Sequence, residues 1–291
     1  MSTPHRIAAG VGEVGLSVAS SSHTGLTRAV NEDSFLTEPP VFAVADGMGG
    51  HAFGDRASAA AVLALHEEFH LAEPTRSSDV LAAIRRANAA VRELTASTGD
   101  ERVIAGTTLT GVALVVEHPD DTPQWMVFNL GDSRVYRWHA EPVPRVERLS
   151  VDHSLVQELV DAGLIDAQGA LTHPDRNIIT RALGAADDVD VDWWLLPAEE
   201  SQTFLICSDG LTKELQDEQI ASVLGAASDP SAAVELLLAA ALAAGGHDNI
   251  SLVLVQSEYH SIGQDAVAGA IEEQTRERAL SPELEETHPR L

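Results

Sequence analysis

The chain has one cysteine, Cys207, and one lysine, Lys213. A lone cysteine excludes an internal disulfide and a cysteine-rich zinc site. No His-Glu-x-x-His spacing competes for zinc either. Residues 1–20 lack a cationic segment followed by an apolar core, so no secretory signal is expected. The longest strongly apolar run, 236–244, is far shorter than a bilayer span of ~20 residues. The expected setting is therefore a reducing cytoplasm. Basic residues are scarce: 18 Lys plus Arg stand against 45 Asp plus Glu, a formal charge of −27. Such a field disfavours nucleic acid and anionic membranes as partners. It also repels phosphorylated substrates, so any phosphate chemistry needs local cations. No internal repeat or low-complexity linker divides the chain, and one domain of roughly 255 residues is expected.

Of the 291 residues, 44% are hydrophobic, enough for a sizeable core. Helices are expected over 56–71, 78–95, 216–226 and 231–244. In the second, Leu81, Ile84, Ala87, Val91 and Leu94 recur three or four apart and form one face, while Arg85, Arg86, Arg92 and Glu93 are solvated. Pro230 and Gly245 punctuate the last helix. Strands are expected over 41–45, 107–116, 125–130, 135–138, 203–207 and 250–256, with a turn at 131–133. Residues 150–185 read as a short helix plus a loop-rich insertion. Beyond Glu258 the chain is polar, with a weak helical pattern over 262–271, and a loosely attached tail is expected over 259–291.

Four apolar runs carry an aspartate at one end: Asp46, Asp132, Asp209 and Asp248. A fifth acidic site, Glu32-Asp33, stands just before Ser34-Phe35-Leu36. Each Asp-Gly alone is a common turn. Together, if these strands lie side by side, their ends converge. Clustered ionised carboxylates repel one another unless a cation intervenes. Oxygen-only donors select Mg²⁺ or Mn²⁺. Two such ions ~3.5–4 Å apart suit in-line attack on a phosphoester, and Arg28, four residues before Glu32, can grip a phosphate.

Arg28-Ala-Val-Asn-Glu32-Asp33-Ser34 and Val44-Ala45-Asp46-Gly47-Met48-Gly49-Gly50 resemble the first signatures of the metal-dependent PPM (type 2C) protein serine/threonine phosphatases, in their bacterial form. Gly106-Thr107-Thr108, Asn129-Leu-Gly131-Asp132-Ser133-Arg134, Asp152-His153-Ser154, Ser208-Asp209-Gly210-Leu211 and Asp248-Asn249 resemble the rest, in the family's order, over about 15–256. The resemblance implies an α+β fold, a four-layer α-β-β-α sandwich of two mainly antiparallel sheets flanked by helices. It implies two Mn²⁺ or Mg²⁺ ions, bridged by Asp46. The carbonyl of Gly47 would hold one, and Asp209 and Asp248 the other. A third ion would sit at Asp132 together with Asp209. Glu32 and Asp33 would orient metal-bound waters, Arg28 would contact the substrate phosphate, and a bridging water would be the nucleophile. The implied activity is hydrolysis of phosphoserine and phosphothreonine in proteins, opposing a serine/threonine kinase, by a monomer. Residues 155–185 match the family's flap. Met48 stands where some members have a proton-donating histidine; His51 is a candidate substitute.

Several features invite other readings. Gly10-Val-Gly12-Glu-Val-Gly15 spells a dinucleotide fingerprint, but 16–20 alternates like a strand where a helix is needed. Cys207 lacks the arginine that closes a cysteine-phosphatase loop and reads as a strand residue. His153 is expected to make a structural hydrogen bond, His173 to lie on the flap surface, and His247 not to be a ligand. Trp193-Trp194 reads as strand or core packing. Two rival functions are a non-catalytic phosphoprotein-binding module on the same fold, which would be expected to lack a ligand, and an unrelated phosphoesterase acting on small molecules.

Overall fold

The structure, a computed structural model, describes residues 3–9, 12–49, 53–69, 74–97, 105–118 and 121–261. The first strands are β1 (Thr3–Ala9), β2 (Gly12–His23), β3 (Asp33–Leu36) and β4 (Val41–Met48), followed by helices α1 (Gly54–Glu68) and α2 (Ser77–Ser97). Five strands follow: β5 (Gly106–Thr107), β6 (Leu109–Val115), β7 (Gln124–Leu130), β8 (Arg134–His139) and β9 (Arg145–Arg148). Then come α3 (Leu155–Asp161), α4 (Ala167–Thr172), β10 (Asp192–Pro197), β11 (Gln202–Cys207), α5 (Asp209–Thr212), α6 (Asp217–Ala226), α7 (Pro230–Ala244) and β12 (Ile250–Ser261).

The strands form two antiparallel sheets. One has the order β1-β2-β12-β11-β8-β9; the other runs β10-β7-β6-β4-β3, with β5 also paired to β4. Their inner faces meet in a core of Val14, Leu16, Val18, Phe42, Val44, Val112, Trp125, Phe204, Ile206 and Val253, among others. Helices α1 and α2 cover the outer face of the second sheet through Ala57, Ala61, Leu65, Ile84, Ala87 and Val91. On the other side, Ile220, Leu224, Val234, Leu237 and Ala241 of α6 and α7 pack on Leu205, Leu252 and Leu254. The layers are α-β-β-α.

This layering explains the continuous apolar runs. In β4, Phe42 and Val44 point between the sheets, while Val41, Ala43 and Ala45 point to the helices. Both faces are covered, so no polar alternation is required. The α2 face centres on Val80, Ala83, Ile84, Ala87 and Val91, all fully buried, with Leu81 and Leu94 at its margins. In α7, Asp229 caps the N-terminus by accepting from the Ala232 N–H at 3.0 Å, and Pro230 opens the first turn.

Some expectations shift. Strand β4 does not stop before Asp46-Gly47 but continues to Met48, with Asp46 opposite Asp33 and Gly47 opposite Thr107. Strand β12 runs to Ser261, three residues into the expected tail; residues 262–291, with the helical pattern over 262–271, lie outside the described residues. Gly12 and Gly15 sit in β2, so no helix follows the glycine-rich segment. Trp194 packs toward the inter-sheet core, whereas Trp193 is 44% exposed, because edge strand β10 alternates its faces. Helices α3 and α4 contain no buried residue. Among the described residues, no helix is long and apolar enough to cross a membrane.

Candidate metal centre

The antiparallel order brings the last residues of β4, β7 and β11 and the first of β3, β8 and β12 to one end of the sandwich. Cys207 pairs with Arg134 on one side and Leu252 on the other, which brings the segments that carry Asp132, Asp209 and Asp248 to the same end. Across the sandwich, the Ser208 hydroxyl donates to Asp33 Oδ2 at 2.8 Å and joins the two sheets there.

The carboxylates perturb one another strongly. Burial pushes Asp46 well above its ordinary value, and Asp33, Asp209 and Asp132 push it further. Burial, with Asp209 and Asp248 adding to it against hydrogen bonds from Ser208 and Ser251, moves Asp33 up to about 7. Burial and the charge of Asp209 bring Asp132 to about 7. Glu32 is raised by its own partial burial, which outweighs the nearby Arg28. Three oxygens here are buried without a hydrogen-bond partner: Oδ1 of Asp33, of Asp132 and of Asp209. Orphaned buried carboxylate oxygens carry a desolvation cost that a cation removes.

Lys213 and Arg28 are ion-paired with this cluster. Lys213 Nζ lies 2.5 Å from Asp209 Oδ2 and 2.9 Å from Asp248 Oδ2. Arg28 Nη2 lies 2.9 Å from Asp248 Oδ1, and its side chain is 49% exposed. Burial would raise the Asp248 carboxyl, but Lys213, the Asn249 N–H and Arg28 together hold it below its ordinary value. Burial raises Asp209 despite Lys213. Among the described residues, no three His, Cys, Asp or Glu side chains gather into a ready metal cage.

Backbone and hydroxyl contacts fix the frame. The Asn249 side chain accepts from the Glu32 N–H and donates to the carbonyls of Thr24 and Val30, each at 2.9 Å. Thr108 Oγ1 accepts from the Asp46 N–H at 2.9 Å and lies 2.8 Å from Ser133 Oγ. Gly47 donates to the Glu32 carbonyl at 3.1 Å. A Cβ at Gly47 would come within 2.0 Å of the Gly54 carbonyl oxygen, so only glycine fits between β4 and the start of α1. Arg134 is bidentate to Asp152 through Nε (2.9 Å) and Nη2 (2.7 Å), and its Nη1 reaches Tyr136, which donates to Asp217.

All eight residues singled out from the sequence (Arg28, Glu32, Asp33, Asp46, Gly47, Asp132, Asp209 and Asp248) lie at this end. Sequence reasoning missed Lys213 as part of the site, and quoted Ser208 and Asn249 within the signatures without giving them a role. For Lys213 the available signal was its place one helical turn after Asp209. His153 makes structural contacts: Nδ1 accepts from the Gly131 N–H at 3.1 Å and Nε2 lies 3.1 Å from Asp192. His247 pairs with Glu214 at 2.8 Å on the surface. His173 caps the end of α4, half-buried. His51 lies outside the described residues. Cys207 is buried in β11, and burial pushes its thiol up to about 12, which makes it a poor nucleophile.

Comparison with known proteins gives this end of the sandwich its context. Residues 26–244 match the family model of protein phosphatase 2C. The serine/threonine phosphatase stp of Listeria monocytogenes serotype 4b is 33% identical over 232 residues, 78% of this chain and 88% of the relative. The crystal structure of the Mycobacterium tuberculosis serine/threonine phosphatase PstP/Ppp superposes with a TM-score of 0.73 at 33% identity, over 82% of this chain and 97% of that one. A structure of the PstP catalytic domain in complex with two manganese ions gives 0.73 at 31% identity, over 84% and 99%. The chain belongs to the protein phosphatase 2C family.

Proposed function

We propose that this chain hydrolyses phosphoserine and phosphothreonine in proteins, using Mn²⁺ or Mg²⁺ held at the carboxylate end of the sandwich. The observation that carries the reading is the set of buried, unpartnered oxygens on Asp33, Asp132 and Asp209 at the meeting point of the two sheets. A donor set made only of oxygen fits hard divalent ions. Asp46 and the Gly47 carbonyl would hold one ion, and Asp46, Asp209 and Asp248 a second. Asp132 with Asp209 would hold a third. When bound, such ions polarise a phosphoryl oxygen and make water nucleophilic near neutral pH. They also supply the positive charge that a −27 chain lacks.

The protein's own groups do the rest. Arg28 stands at the rim, half exposed, where its fork can bind a phosphate and hold the monoester in line. Glu32 and Asp33 would orient metal-bound water by accepting hydrogen bonds from it, with Ser208 fixing Asp33. Asn249 holds the Glu32 backbone in place. Met48 supplies no proton to the leaving group, so aryl phosphates, whose leaving group needs little help, are the easier substrates.

The catalytic domain comprises the sandwich, with residues 155–185 as a flap that shapes substrate choice. The enzyme works as a cytoplasmic monomer on the products of a serine/threonine kinase. The test is p-nitrophenyl phosphate hydrolysis with Mn²⁺, with EDTA, and with Asp209→Asn, then a phosphothreonine peptide. Chelation and the substitution are each expected to lower turnover at least ~100-fold. Mn²⁺ binding without turnover would favour the binding-module reading instead.

A further inference from the structure

The carboxylates of the site divide unevenly. Asp33, Asp132 and Asp209 each keep one buried oxygen without a partner. Asp248 keeps none. Its Oδ2 accepts from Lys213 at 2.9 Å, and its Oδ1 accepts from the Asn249 N–H at 2.9 Å and lies 2.9 Å from Arg28 Nη2. The same Lys213 ammonium sits 2.5 Å from Asp209 Oδ2. Its Nζ therefore bridges the two carboxylates that the proposed function assigns to one metal ion.

We infer that Lys213 is a built-in counter-ion of the metal centre. It holds Asp209 and Asp248 together in the metal-free protein, and it must leave their Oδ2 atoms before a divalent ion can take them. This inference rests on the reading of Asp209 and Asp248 as metal ligands. The chemistry is a competition between two cations for the same oxygens. An ammonium offers hydrogen bonds and one charge; a divalent ion offers two charges but must displace it. Lys213 is 37% exposed, so it has room to swing toward solvent when released. It is a positioning residue, acting on the metal ligands. Its consequence is an uneven pair of sites, with the ion at Asp248 the weaker.

Because Lys213 is the only lysine in the chain, protein labelled with ¹³C,¹⁵N-lysine carries one lysine side-chain signal. Metal-stripped full-length protein is titrated with diamagnetic Mg²⁺ while that signal is followed. In parallel, Mn²⁺ is titrated by calorimetry into the wild type, Lys213→Met and Lys213→Arg. The lysine signal is expected to move with occupancy of the weaker site. Lys213→Met, which keeps the stem and removes the charge, is expected to bind the weaker Mn²⁺ about tenfold more tightly. It is also expected to melt lower without metal and no lower than wild type with saturating Mn²⁺. Lys213→Arg is expected to stay near wild type. Metal loading with a stationary lysine signal, or weaker Mn²⁺ binding in Lys213→Met, overturns the inference while leaving the phosphatase reading intact. No Mn²⁺ or Mg²⁺ binding by the wild type overturns both. If metal-free Lys213→Met does not fold, the wild-type lysine signal alone decides.

Discussion

Asn249 illustrates how one side chain sets the shape of this site. Its amide satisfies three backbone groups of the segment that carries Arg28 and Glu32. Asn249→Ala would leave all three without partners inside the protein, at a cost of about 1 kcal/mol each. Urea unfolding is expected to show a loss of about 3 kcal/mol, with metal-dependent turnover falling as Glu32 loosens. The aspartates make a second prediction, on pH. Asp33 and Asp132 are pushed up to about 7 by burial, far above the range of an unfolded chain. Between about 4 and 7 the folded, metal-free protein then holds protons that the unfolded chain has lost. Stability from these groups is full at the acidic end of that window and declines as pH rises to 7. Calorimetric melting of metal-free protein is expected at a lower temperature at pH 7.5 than at pH 5.5, with Mn²⁺ stabilising more at the higher pH. Equal melting temperatures would mean that the carboxylates are not so buried. The aspartates were legible in the sequence because each ends or precedes an apolar run. Asn249 was legible only as part of a signature and Lys213 only by its place one turn after Asp209, because their roles are hydrogen bonds that only the closed fold reveals; Asn249 and Glu32 are 217 positions apart.

At the scale of elements, β4 is the strand on which the site depends. It pairs with β3, β5 and β6 and carries Asp46 and Gly47 inside its ladder, where an Asp-Gly pair reads from sequence as a terminator. The local preference of Asp-Gly for turns is overridden because Gly47 must pass under the start of α1. Gly47→Ala would drive a methyl group into the Gly54 carbonyl, with backbone on both sides and no flexible side chain to give way. The expected cost is about 3 kcal/mol, seen as a lower urea midpoint and weakened Mn²⁺ binding; an unchanged midpoint would mean that α1 yields. The other strands with continuous apolar runs were equally readable. Strand β9 was not and β10 only through Trp193-Trp194, because both are sheet edges with mixed exposure, and α3 and α4 bury nothing that could give them a periodic signal beyond the one short helix expected over 150–185.

For the whole molecule, the net charge of −27 is expected to act as an electrostatic filter. A phosphopeptide with acidic flanks approaches against a field of the same sign, and one with basic flanks approaches with it. Raising salt from about 20 to about 200 mM is expected to increase kcat/KM about threefold for the acidic peptide and to decrease it for the basic one. Steady-state assays on a matched peptide pair measure this, and parallel responses would show that the field does not reach the site. The four-layer architecture was legible through the family's ordered signatures, whereas composition alone allowed several classes. The pairing of β2 with β12 carries one more consequence. Twelve consecutive residue pairs, from Gly12 with Ser261 to His23 with Ile250, join one of the first strands made to the last. Asp248 and Asn249 stand at the head of that final strand. On the ribosome, a chain holding Asp46, Asp132 and even Asp209 still lacks the centre of its first sheet. A chain stopped before residue 250 is therefore expected to lack Mn²⁺-dependent turnover and to present the bare edge of β2 to its neighbours.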